Sequence, residues 1–165
     1  MATVAGIFEN PLNANQAITD LLEIGIGRDD VSLMMSDKTR DRFNAVAGSE
    51  SSRVLSDTTT GSISGGILGA LLAGLTAIGT LSIPGIGLLV FGPLIAISAG
   101  LGVGVVTGGV VGALVAAGLN QVDASKHADA LKAGKAVLVI HNIPDEEVTS
   151  IRSILSELAD STKAA

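Results

Sequence analysis

The sequence predicts an α+β fold: a small three-stranded sheet built from both ends of the chain and interrupted by a long helical hairpin. Three observations lead there. From Thr58 to Val122 the chain runs 65 residues without a charged side chain, and 16 of its 21 glycines fall in that stretch. On either side lie short segments with the apolar periodicity of strands and amphipathic helices. Each flank offers single apolar faces that only the other flank can cover, so the two ends must meet.

The first flank reads as strand–helix–strand. Thr3 to Phe8 is an apolar run of strand length, closed by Asn10-Pro11. Asn13 and Gln16 have capping-box spacing, which predicts a helix start there. Ala14, Ala17, Ile18, Leu21 and Leu22 then share one helical face, and Gly25 and Gly27 stop the helix. Val31 to Met35 is a second short strand, reached through Asp29-Asp30. Asp37 to Thr60 is polar and of mixed charge, a connector with one helical turn around Arg40 to Val46.

The uncharged stretch divides in two. Up to about Leu81 it reads as one helix of about 19 residues, with Gly61, Gly65 and Gly69 on one stripe. Pro84, Gly85, Gly87, Gly92 and Pro93 break regular helix and mark the hairpin turn. From Pro93 to about Leu119 a second helix of about 26 residues carries Gly100, Gly104, Gly108 and Gly112 in four-residue register. A helical glycine costs about 1 kcal/mol relative to alanine, so four on one stripe imply a closely approaching backbone. The second helix is long enough for a bilayer core of about 30 Å, and the first is marginal. The stretch has no Trp or Tyr to form an interfacial belt.

In the second flank Asp123 predicts an N-cap for a helix through Ala133, with Gly134 as its stop. Ala136 to Ile140 is an unbroken apolar run that suits a central strand buried on both faces. Pro144 opens a last helix on which Val148, Ile151, Leu155 and Leu158 align. Joined, the flanks resemble a ferredoxin-like split β-α-β with the last strand in the middle and the helices on one face. The expected domain is residues 1–57 plus 123–165, and residues 58–122 are its hairpin insert. The pattern lacks a final strand, which leaves one sheet edge open to a partner.

Composition removes several function classes. A net charge of −6 and only three aromatic residues, Phe8, Phe43 and Phe91, argue against a nucleic-acid surface. The absence of cysteine excludes disulfides and thiolate metal sites. The N-terminus has no basic region of a secretory signal, and the default origin is cytoplasmic.

Ile83-Pro-Gly-Ile-Gly87, Gly92-Pro-Leu94, Gly108-Gly-Val-Val-Gly-Ala-Leu114 and Ala130-Leu-Lys-Ala-Gly-Lys-Ala-Val-Leu-Val139 occur in that order. Together they resemble the bacterial general-stress or heat-induced stress protein family, whose members carry a glycine-zipper hairpin within a small α/β domain. The resemblance spans essentially the whole chain. It implies a non-enzymatic, stress-associated protein with no catalytic residues to carry over.

Candidate chemistry is sparse. Asp123 lies four residues before His127, a spacing that could set a carboxylate beside an imidazole, but two ligands do not make a metal site. An N-capping Asp and a surface His account for the pair. His141 is expected at a polar rim, and Asp145-Glu146-Glu147 in the first turn of the last helix, where acids favour the dipole. No phosphate-binding glycine motif or nucleophile elbow occurs. The expectation is therefore no enzyme, no cofactor and no metal. Two assemblies fit the sequence. In the first, the hairpin anchors a homo-oligomer in the bacterial inner membrane, with the α/β domain on the cytoplasmic side. In the alternative, a soluble shell, ring or filament buries the hairpins between subunits.

Overall fold

A strand, β1 (Ala2–Phe8), opens the fold, and the helix α1 (Pro11–Glu23) follows it. The structure, a computed structural model, describes residues 2–42, 45, 80–83, 87–96 and 104–163. Helix α1 starts earlier than the Asn13 capping box implied. Asn10 is the N-cap, its side chain accepts the Leu12 N–H at 2.9 Å, and Pro11 takes the first helical position, where it has no bond to lose. Gly25, at φ +98°, turns the chain out. A short 3-10 turn over Arg28–Asp30 delivers it to β2 (Val31–Ser36), and helical backbone resumes from Asp37 to Arg42.

The next described residues form two strands, β3 (Thr80–Ile83) and β4 (Leu88–Phe91). Helix α2 (Gly104–Ala116) and helix α3 (Gln121–Lys132) lead to the long strand β5 (Ala136–Ile143), and α4 (Val148–Lys163) closes the chain. The N-cap of α3 is Asn120, whose side chain accepts the Asp123 N–H at 2.9 Å, so Asp123 sits inside the first turn. Helix α4 starts at Val148, so Asp145, Glu146 and Glu147 form a turn ahead of it.

The sheet has five strands in the order β1-β5-β2-β4-β3, every neighbouring pair antiparallel. Strand β5 does lie between β1 and β2, and its residues 136–141 are all buried. Two expectations need correction. The sheet gains β4 against β2 and β3 against β4, both from inside the uncharged stretch, so three strands become five. Helices also cover both faces rather than one.

On one face α1 and α4 pack over Phe8, Leu33, Leu138 and Ile140, with Leu21, Ile151 and Leu155 reaching down from the helices. On the other, Val110 and Leu114 of α2 and Ala124, Ala128 and Leu131 of α3 cover Met34, Val90, Val137 and Val139. This second layer explains why β5 is apolar at consecutive positions instead of alternating.

The segment expected as a helical-hairpin turn is thus largely strand. Leu88-Leu-Val-Phe91 is a four-residue apolar run between Gly87 at φ +61° and Gly92 at φ +96°, the punctuation of a buried strand. Pro84 and Gly85 lie outside the described residues, as do Gly61, Gly65, Gly69 and Gly100. A single helix from Pro93 to Leu119 is also overturned. Within α2, Gly109 takes φ 55° and ψ −142°, a conformation that breaks the helix and that side chains other than glycine avoid. Among the described residues no helix is long and apolar enough to cross a membrane.

Candidate functional site

Of the glycine register, the described part is Gly104, Gly108 and Gly112, all on α2. The Gly109 break falls between the first two and the third. Beyond it the helix turns Val110 and Leu114 onto the sheet, and Ala113 is buried. Gly112 and Ala116 are half-buried, and Val115 is exposed. The outer side of this helix is uncharged, with small and aliphatic groups at its surface. Gly118 follows at φ +103°, and Thr3 Oγ1 donates to the Ala117 carbonyl at 2.7 Å, tying the end of α2 to the edge strand β1.

A groove of about 550 Å³ runs along that edge. Its floor is Thr3 to Ile7 of β1, one wall is Asn120, Asp123 and His127, and the other is Arg152, Leu155 and Ser156 of α4. An ion pair between Lys135 and Glu9 stands at the rim. The expected Asp123–His127 pairing takes a different form. His127 Nδ1 donates to the Asp123 backbone carbonyl at 2.6 Å, while the Asp123 carboxylate accepts from Asn120 Nδ2 at 2.7 Å and meets Lys126. That carboxylate is engaged by the capping Asn120 side chain and by Lys126 rather than in orienting the ring. Among the described residues no group of three or more metal-ligating side chains occurs.

A second cavity of about 820 Å³ lies at the other end of α3, bounded by Thr39, Arg42, Gly87 and Gly134. Thr39 Oγ1 and Arg42 Nη2 both donate to the Gly134 carbonyl, at 2.8 and 2.6 Å, which satisfies a helix-end acceptor and fixes the segment after β2.

The most constrained polar cluster was missed by the sequence reading. His141, expected at a polar rim, is only 4% exposed, on the α2–α3 side of the sheet. Its Nε2 is 3.0 Å from Ser32 Oγ, and Ser32 is fully buried. The same hydroxyl accepts the Leu94 N–H at 3.0 Å. Ser32 therefore joins β2, β5 and the corner after β4. The corner comes so close because Gly92 has no side chain: a Cβ there would stand 2.5 Å from the Val31 carbonyl oxygen. His141 Nδ1 is buried with no hydrogen-bond partner. Burial lowers the His141 pKa below the ordinary imidazole value, and the Asp30 carboxylate offsets part of that shift. The signal in the sequence was slight: Ser32 and His141 interrupt two largely apolar strands, which end on Ser36 and Asn142-Ile143.

The chain matches no protein-family model, no curated protein and no solved structure.

Proposed function

We propose that the chain is a non-enzymatic, stress-associated structural protein that self-associates through its uncharged, glycine-rich stretch. The carrying observation is that the sheet grips this stretch at β4 while the run just before β3 is wholly uncharged. That run, Thr58 to Gly79, holds 22 residues with glycines at 61, 65 and 69, and it needs an apolar partner. The uncharged outer side of α2, with Gly112, Val115 and Ala116, offers a surface of matching character. The stress association rests on the resemblance of the motifs, and the β1-β5-β2 order supports a ferredoxin-like reading of that part of the sheet.

Between the two assemblies, topology favours the one that hides the stretch between subunits. The chain leaves the sheet after Ser36 and rejoins it at Thr80, so any route through a bilayer crosses an even number of times. Two crossings need about 40 apolar residues, and the uncharged run before β3 has 22. A membrane reading keeps one point of support, because that run is long enough for a re-entrant segment that enters and leaves by the same side. In it the α+β domain faces the cytoplasm at the bacterial inner membrane.

Particle size with and without detergent tests the proposal. A large uniform particle in detergent-free buffer is expected. A monomer without detergent overturns self-association, and retention in carbonate-washed membranes favours the bilayer.

A further inference from the structure

We propose that Ser32, His141 and the Leu94 amide form a proton-sensitive clasp, which holds the corner after β4 on the sheet while His141 is neutral and loosens on acidification. The hydrogen positions follow from counting donors. Ser32 Oγ already accepts from Leu94, so its own proton is free to go to His141 Nε2 at 3.0 Å. That tautomer carries its proton on Nδ1 and leaves one orphan, the Nδ1–H. The other tautomer leaves two, a bare Nδ1 and a serine proton without an acceptor. The first arrangement is therefore the resting state.

Protonation removes the acceptor. Nε2 becomes a donor, the Ser32 hydroxyl proton must turn away inside a buried site, and a positive ring stands where 4% of the residue is exposed. The surroundings supply little to hold that charge. Strand β2, the corner from Gly92 to Ala96 and helix α2 contain no ionisable side chain, and His141 is the single ionisable residue of β5. Helix α3 turns Ala124, Ala128 and Leu131 toward this face. The nearby carboxylate is Asp30 of the 3-10 turn, which accepts from Asn142 Nδ2 at 2.9 Å. It attracts an imidazolium, but burial is the larger effect.

The sign follows. The closed-state pKa lies below the ordinary 6.5, so the clasp is fully held above that pH and loses stability as pH falls through and below it. The corner matters because it carries the chain from β4 toward α2. The clasp stands on this geometry alone, whether or not copies associate.

Hydrogen exchange of the full chain, followed residue by residue, is the test. Between about pH 7.5 and about pH 5.5 the protection factor of the Leu94 amide should fall about tenfold, the limit for a histidine that charges only when released. The Val139 amide in β5 should fall less. His141→Gln should abolish the difference, and His127→Gln should keep it. Equal falls at Leu94 and Val139, no fall at Leu94, or an unchanged fall in His141→Gln would each overturn the clasp. Should His141→Gln fail to fold, the imidazole titration of the wild-type protein serves instead. Its midpoint must lie below 6.5 and be shared by the Leu94 amide shift, and a different midpoint at Leu94 overturns the proposal.

Discussion

A methyl group at Gly92 would meet the Val31 carbonyl at 2.5 Å and the Ser32 Cα at 3.1 Å, and the backbone there has φ +96°. Gly25 has nearly the same φ, +98°, but nothing lies within 4 Å of the place its Cβ would take. The two positions separate backbone strain from collision. Gly25→Ala should cost about 1 kcal/mol, for a left-handed alanine alone. Gly92→Ala should cost that and at least about 2 kcal/mol more, because the neighbour that must yield is the backbone of β2. Urea midpoints of the two variants check this, and equal midpoints would mean that the corner does not sit against β2. The same contact sets the Ser32 hydroxyl beside the Leu94 amide, so one glycine underlies the most buried polar joint of the domain.

Helix α2 is where a lipid-facing zipper and a domain core make opposite demands. Leu114 is fully buried and Val110 is 7% exposed, both against the α2–α3 face of the sheet. Leu114→Ala should therefore cost about 2–5 kcal/mol in domain stability, as at other buried leucines. A helix turned to lipid would leave the soluble unfolding transition unmoved, and that result would return α2 to the hairpin reading. The elements that were legible share one property, a contrast in polarity along the chain. Strand β5, with Ala-Val-Leu-Val-Ile between Lys135 and His141, and α4, with one apolar face at Val148, Ile151 and Leu155, are bounded by polar residues and are legible, although α4 starts at Val148 rather than at Pro144. Between Thr58 and Val122 that contrast vanishes. Periodicity then could not tell a strand from a turn or a helix, so β4 was absorbed into the hairpin turn and the Gly109 break into the second helix. The Ser32–His141 pair was illegible for another reason: its members are 109 residues apart, and only the sheet order brings them together.

At the scale of the molecule, the uncharged stretch is part insert and part core. Its β4 strand and the end of α2 belong to the three-layer domain, whereas the register of Gly104 and Gly108 precedes the Gly109 break. Those two glycines therefore test association without altering Val110 or Leu114, which pack on the sheet. Leucine at both positions widens a stripe meant for close backbone contact, and removing two helical glycines also favours helix by about 2 kcal/mol in total. The expected outcome is a smaller particle in detergent-free buffer, with an unfolding midpoint of the α+β domain that does not fall. Light scattering measures the first and urea unfolding the second. Smaller particles with an intact domain mean that the stripe joins subunits. An unchanged particle size would show that Gly104 and Gly108 serve no close contact between copies, and the zipper reading would then fail. A domain that loses stability along with its assembly would place the two glycines against their own sheet, making the stretch an internal layer of one subunit.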